Sequence, residues 1–117
     1  MSNQIIAISE SVRPSTDVSW KVGDGSQKDY FQRVYLDTGK ALSRGIVMSE
    51  DGLTRTITTI WASNEERVAY MQDPIIIADL QEQTNHRIAS NITHTWTNQE
   101  ITLTNETVRT WSGGHLA

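Results

Sequence analysis

The segment from Leu53 to Trp61 alternates in the manner of a β-strand, and a helix-start signal follows it directly. Leu53, Ile57 and Trp61 fall on one face of a two-residue repeat, and threonines occupy the other face. Ser63 and Glu66 have the spacing of a capping box, in which the serine side chain caps the first turn of a helix. A strand that runs straight into a helix restricts the chain to folds that combine sheet and helix.

The first half of the chain contains signals for two further strands and a helix. Ile5–Val12 is predicted to be a strand in the middle of a sheet, since its first residues are apolar on both sides. A helix is predicted from about Gln27 to Thr38, and Gly39 is predicted to end it in the left-handed conformation. Leu42–Met48 alternates, and Asp51-Gly52 is a strong signal for a hairpin turn into the next strand.

A second, longer helix is predicted to begin near Asn64 and to be interrupted at Asp73. Asp73 can cap a new helical segment, and Pro74 suits the first position of that segment because its missing N–H has no helical partner there. The residues predicted to face inward from this segment are Ile77, Leu80, Thr84 and Ile88.

The C-terminal part is predicted to add a strand and a hairpin. His94 and Trp96 lie on one side of a strand, and a final hairpin is predicted to turn around Asn105-Glu106. We therefore predict a single domain over 1–117, with a body at about 4–97, a hairpin at about 98–112 and a flexible tail at 113–117.

The order of these elements predicts an α+β fold of the ferredoxin-like type. That order is βαββαβ with an antiparallel sheet, both helices on one face and a C-terminal β-hairpin added. The opposite face of the sheet then needs cover, and its threonines Thr54, Thr56 and Thr58 are a candidate contact surface.

Two neighbouring segments connect the chain with a known superfamily. Thr59–Glu66 is a strand ending in tryptophan before a capped helix, and Tyr70–Pro74 places an Asp-Pro step in that helix. With these segments the chain, from about Ile5 to Thr97, resembles the dimeric α+β barrel superfamily that includes the antibiotic-biosynthesis-type monooxygenases. The resemblance implies pairing of two sheets in a homodimer and a cavity for a small aromatic substrate.

The haem-degrading activity found in that superfamily does not carry over to this chain. Those members use an asparagine on the first strand and a histidine about ten residues after a tryptophan. Ile5–Ile8 contains no asparagine, and His86 follows Trp61 by 25 residues.

A second resemblance concerns two short sequence segments in predicted loops and turns. Val12–Val18 and Ser49–Thr54 are similar to segments of small uncharacterised proteins of tailed bacteriophages. This resemblance implies a bacteriophage origin, with the protein located in the host cytoplasm or in the virion.

Composition excludes several classes of partner and location. The chain has 10 lysines and arginines against 14 acidic residues, and the cations are spread evenly along the sequence, so we expect no nucleic-acid groove. It has no cysteine, which excludes disulfides and thiolate metal sites. No apolar run is long enough to span a bilayer, so we expect no membrane partner and a soluble, cytoplasmic protein.

Few residues are candidates for chemistry. His94 shares a face with Trp96 and is the candidate catalytic base, although a structural histidine is the more frequent case, whereas His86 is expected to face solvent. Trp61, Tyr70 and Trp96 are candidates to bind a small aromatic ligand, and core packing is the alternative for these rings. The three histidines lack metal-ligand spacing, so no metal and no cofactor are expected.

Two functional hypotheses follow from these patterns. The first is a small, homo-oligomeric and non-catalytic accessory or structural protein, a homodimer or a higher homo-oligomer assembled through the threonine-rich sheet face and the hairpin. The alternative is a cofactor-free, monooxygenase-like enzyme or a small-molecule binder, with His94 as base in an aromatic pocket. A regulatory domain that binds a small metabolite at the dimer interface is a third option.

Overall fold

A computed structural model describes residues 3–23, 25–102 and 107–112 of the chain. It is an α+β structure whose strands are β1 (Gln4–Val12), β2 (Ala41–Met48), β3 (Thr54–Trp61), β4 (Thr93–Thr102) and β5 (Thr107–Trp111). Its helices are α1 (Ser26–Phe31), α2 (Asn64–Gln72) and α3 (Pro74–Ala89), and a π-helical segment, Gln32–Leu36, continues α1.

The five strands form one antiparallel sheet in the order β2-β3-β1-β4-β5. β1 lies in the middle, as its apolar first half predicts, and Ile5 stands opposite Trp61 on one side and Glu100 on the other. The predicted α+β class and antiparallel sheet are confirmed, and the strand order is consistent with the ferredoxin-like class.

The pairing register divides the sheet into two faces, because neighbouring strands place directly opposed residues on the same side. We call the face that contains Ile5 and Trp61 the inner face and the face that contains Ile6 and Ile60 the outer face. All three helices contribute side chains to the inner face.

The core is an aromatic cluster between the helices and the inner face. Phe31 and Tyr35 both pack edge-on against Trp61, with ring centroids 5.9 and 5.8 Å apart. Tyr70 contacts the same tryptophan at 5.0 Å, and Ile76 of α3 closes the cluster. Because aromatic rings bury large apolar areas, this cluster is the main source of stability for the helix–sheet contact.

Three predicted local signals are confirmed. Ser63 accepts a hydrogen bond from the Glu66 amide at 3.3 Å, and Asp73 accepts one from the Ile75 amide at 3.0 Å, so both residues cap helices. The predicted hairpin joins β2 to β3 with Gly52 at φ 74°, in the left-handed region that glycine tolerates best.

One predicted helical detail is confirmed and another is wrong. The first helix ends at Leu36, close to the predicted boundary, and Gly39 follows it in the left-handed conformation, with φ 79°, as predicted. The second half of this helix is π-helical, with the Asp37 amide bonded to the Gln32 carbonyl. In α3, Ile77 and Ile88 are exposed, and the inward stripe runs instead through Ile76, Leu80, Gln83 and Arg87. Three consecutive isoleucines at 75–77 do not indicate which of them faces the core. The predicted stripe therefore started one residue too late, at Ile77 instead of Ile76.

The loop 13–23 crosses the inner face beyond the helices, and polar contacts hold it to α3. The Gln83 side chain donates to the Val22 carbonyl at 2.8 Å and accepts from the Val22 amide at 3.0 Å. His86, predicted to face solvent, is half-buried instead, with its Nε2 2.7 Å from the Ser19 carbonyl oxygen. The displaced stripe explains this difference, since it turns His86 toward the loop.

The C-terminal hairpin is formed by β4 and β5, and β4 is continuous across the predicted boundary between the body and the hairpin. The turn predicted at Asn105-Glu106 and the tail at 113–117 lie outside the described residues. Trp111 of β5 stands opposite Asn98 and packs at the edge of the core. Of the helices that the structure describes, none is long and apolar enough to cross a membrane.

Candidate functional site

His94 lies on the inner face, at the end of the sheet that the helices leave open, and it shares that face with Trp96 as the sequence predicts. It stands opposite Ser11 in the register, and its Nδ1 is 2.5 Å from the Ser11 hydroxyl. Its ring contacts Trp96 edge-on at 4.4 Å. The imidazole is thus fixed by a hydrogen bond to Ser11 of β1 and by an aromatic contact with Trp96 of its own strand, β4.

Three arginines that are far apart in sequence lie at this end of the sheet, where Arg13 and Arg55 contact Trp20 and the charge of Arg87 acts on Arg55. We call Arg13, Arg55 and Arg87 the arginine cluster. The guanidinium carbons of Arg13 and Arg55 lie 4.5 and 5.2 Å from the centroid of the Trp20 ring. Arginine stacks on tryptophan through its planar guanidinium group, so Trp20 brings two of the three cations together.

Arg13 uses its guanidinium to hold the loop in place. Its Nε donates to the Gly52 carbonyl at 2.8 Å and its NH1 group donates to the Val18 carbonyl at 2.7 Å. These bonds join the loop 13–23 to the β2–β3 turn. Trp20 is thereby kept over the inner face beside Arg55.

The electrostatics of this region are uniformly positive. Burial lowers the pKa of Arg55, and the charges of Arg44, Arg87 and Arg13 lower it further. Burial also lowers the pKa of His94 to about 4, with contributions from Arg87 and Arg55. His94 is therefore neutral at pH 7, which leaves the arginines as the charged groups of the site.

No carboxylate in the described part of the chain forms a salt bridge with the arginine cluster. The inner-face carboxylate Glu100 stands opposite Ile5, whereas Arg55 stands opposite Ser11, six residues along β1. At about 3.3 Å per residue these positions are roughly 20 Å apart. Within the described ranges, the cations thus lie together without a carboxylate as counter-charge.

Two buried N–H donors at this site have no hydrogen-bond partner among the residues that the structure describes. They are Nε of Arg55 and Nε1 of Trp20, which belong to two side chains in direct contact. Buried donors are nearly always paired, because leaving one unpaired costs about 1 to 3 kcal/mol. The two unpaired donors therefore cost free energy in the folded protein unless an acceptor binds to them.

The geometry argues against nucleophilic catalysis by Ser11. Its side chain is only 3 % exposed, and the described residues place no carboxylate where it would orient the His94 ring. A serine nucleophile needs access to substrate and a base oriented by a third group. The Ser11–His94 hydrogen bond is therefore structural, and a catalytic role for His94 stays a prediction.

The three predicted ligand-binding aromatics do not form one group. Trp61 and Tyr70 lie in the aromatic core, and the Trp61 side chain is 2 % exposed. Trp96 stands opposite Ser9, four residues along β1 from the partner of Trp61, and is 51 % exposed. Trp61 and Tyr70 thus serve the core, Trp96 borders the site of His94, and binding of an aromatic ligand by these residues stays a prediction.

The outer face of the sheet has few charged residues. Its described positions on β1, β3 and β4 are Gln4, Ile6, Ile8, Glu10, Val12, Thr54, Thr56, Thr58, Ile60, Thr93, Thr95, Thr97, Gln99 and Ile101. Glu10 is the one charged residue among them, although charged residues make up 21 % of the chain. No helix that the structure describes covers this face.

A metal centre has no support in the described ranges, where no group of three or more histidine, aspartate or glutamate side chains is close enough to bind an ion.

Comparisons of the chain with protein-family models, with curated proteins and with solved structures find no match. The resemblances to the dimeric α+β barrel superfamily and to phage proteins therefore stay predictions.

The arginine cluster is the feature that sequence reasoning missed. Its successive members are 42 and 32 residues apart, in a chain whose cations are evenly spaced. The one sequence signal for the cluster was Trp20 in a loop, because arginine side chains stack on exposed aromatic rings.

Proposed function

We propose that this protein is a small homo-oligomeric, non-catalytic accessory or structural protein. In this proposal two copies pair through their outer faces, in the manner of a ferredoxin-like, dimeric α+β barrel. The single observation that supports the proposal most strongly is the nearly uncharged outer face. The proposal includes a bacteriophage origin because the segments Val12–Val18 and Ser49–Thr54 are similar to segments of phage proteins.

A second copy of the chain suits this face for electrostatic reasons. The centres of protein interfaces are depleted of charged residues, because each buried charge must be paired or lose its hydration. Apart from Glu10, two outer faces placed together would bring no like charges into contact. Threonine and isoleucine are also the side chains that pack best on a pleated surface.

The size of the face is adequate for a stable dimer. Five strands spaced about 4.8 Å apart, each about eight residues long at about 3.3 Å per residue, span roughly 24 by 26 Å. The flat area of about 600 Å² increases when side-chain relief is included. It is thus close to the roughly 800 Å² that each partner buries in a standard interface.

The C-terminal hairpin widens the proposed interface. β5 pairs with the second half of β4, and Thr110 stands opposite Gln99 on the outer face. At the other edge, Val47 of β2 adds an exposed apolar side chain to the same face. Both edge strands therefore contribute uncharged positions to the proposed contact.

Insertion of a charge at the centre of the outer face tests the proposal. Thr58 stands opposite Ile8 on one side and Gly45 on the other, so Thr58→Lys would place two ammonium groups near each other in a paired assembly. Gln81→Lys adds the same charge to an exposed position of α3 and is the matched control. We expect Thr58→Lys to lower the sedimentation mass toward that of the monomer and Gln81→Lys to leave it unchanged.

Circular dichroism of both variants would verify that each still folds. Equal masses for a folded Thr58→Lys variant and the unmodified protein would refute pairing through the outer face.

A further inference from the structure

We propose that the arginine cluster, together with Trp20, binds a phosphate group. This inference concerns the inner face and is independent of how the outer face is used. It rests on the unpaired cations and the unpaired N–H donors that meet there.

The first step is the balance of charge. The chain is acidic, with a net charge of -4, and yet the described residues place no carboxylate against Arg55 or Arg87. Cations brought together without counter-charge repel one another, which costs free energy in the folded state. An anion at this position would remove that cost, and arginine is the side chain best suited to bind one.

The second step is the set of free donors. Nε of Arg55 and Nε1 of Trp20 are both buried and have no partner in the described part of the chain, and their side chains are in contact. A phosphate group presents several oxygens, which accept hydrogen bonds from guanidinium and indole N–H donors. A chloride ion can neutralise charge, but it lacks separate oxygens for directed bonds.

The third step is access. The side chains of Trp20, Arg55, Arg87 and His94 are all half-buried, so the site lies between the interior and solvent. Desolvation at such a position strengthens the attraction between a guanidinium group and an anion. Arg13 is bonded to the loop backbone, which holds Trp20 in place before any ligand arrives.

The neutral state of His94 fits the same proposal. Its ring is already bonded to Ser11 and lies near Arg55 and Arg87. A bound phosphate would offset the two positive charges that disfavour protonation of the ring. The His94 resonances therefore report on occupancy without a need for enzymatic activity.

Calorimetric titration of the full chain with inorganic phosphate tests the proposal, with sodium chloride at matched ionic strength as the reference. We expect saturable binding of phosphate and none of chloride. We also expect Arg55→Met and Arg87→Met each to weaken the affinity at least tenfold. Arg33→Met, which removes an exposed cation outside the cluster, is the matched control and should bind as the unmodified protein does.

A second titration with glycerol phosphate distinguishes the source of the phosphate group. Tighter binding of the ester would assign the site to a phosphorylated small molecule, and equal binding would assign it to the free ion. An upward shift of the His94 titration midpoint in saturating phosphate, measured by NMR, is the independent signature.

The absence of saturable binding by the folded, unmodified protein would overturn the proposal. Equal binding heats for phosphate and chloride would also overturn it, because that result indicates screening of repulsion without a site.

Discussion

The Ser11 hydroxyl and Nδ1 of His94 lie 2.5 Å apart across the β1–β4 pair, at directly opposed positions of the register. Ser11 is buried, so this bond fixes the imidazole at the inner face, beside Arg55 and Arg87. A histidine in this position is costly to protonate, since burial and two neighbouring cations all oppose the added charge.

The stability of the protein is therefore expected to decrease in mild acid because of His94. Its pKa is about 4 in the folded protein and about 6.5 in an unfolded chain, so the unfolded state binds more protons between these values. The free energy of unfolding should fall as the pH drops from about 6.5 toward 4, by on the order of 1 to 2 kcal/mol after allowance for solvent screening. Urea unfolding at a series of pH values measures this loss.

His94→Gln should flatten that part of the pH profile. An unchanged profile in the His94→Gln variant would show that other groups cause the acid sensitivity.

Two tryptophans on the inner face are expected to differ strongly in their contribution to stability. Trp61→Ala removes a buried ring from the centre of the aromatic core and should cost roughly 3 to 5 kcal/mol in the free energy of unfolding. Trp96→Ala alters a half-exposed ring and should cost less than about 1 kcal/mol. Denaturant unfolding of both variants provides the comparison, and similar costs would contradict the assignment of Trp61 to the core.

The orientation of α3 can be tested with two of its isoleucines. Ile76 is 3 % exposed and Ile88 is 72 % exposed. Ile76→Ala should lower the free energy of unfolding by about 2 to 4 kcal/mol, whereas Ile88→Ala should change it by less than about 0.5 kcal/mol. The reverse ranking would restore the inward stripe that the sequence predicts, with Ile88 in the core.

Elements whose signals are local could be predicted from the sequence. Ser63 and Asp73 cap helices because a serine or aspartate side chain bonds to an amide two or three residues away. The hairpin at Asp51-Gly52 depends on the backbone freedom of Gly52, which needs no tertiary contact to be recognised. The central position of β1 follows from apolar residues on both of its sides.

Features that depend on contacts between distant segments could not be predicted in this way. The phase of α3 is ambiguous in the run Ile75–Ile77 and is settled by Gln83 and His86, which face the loop 13–23. The arginine cluster requires the β1–β3 pairing, the loop and α3 together. Even spacing of cations in a sequence therefore does not imply even spacing on the folded chain.

Homo-oligomerisation through the outer face is the central claim, and the solution mass of the unmodified protein tests it most directly. Sedimentation equilibrium over a range of micromolar concentrations should yield a mass of at least twice the 13.2 kDa of one chain. A mass of 13.2 kDa at every concentration would contradict the claim and would leave the uncharged outer face without its proposed role.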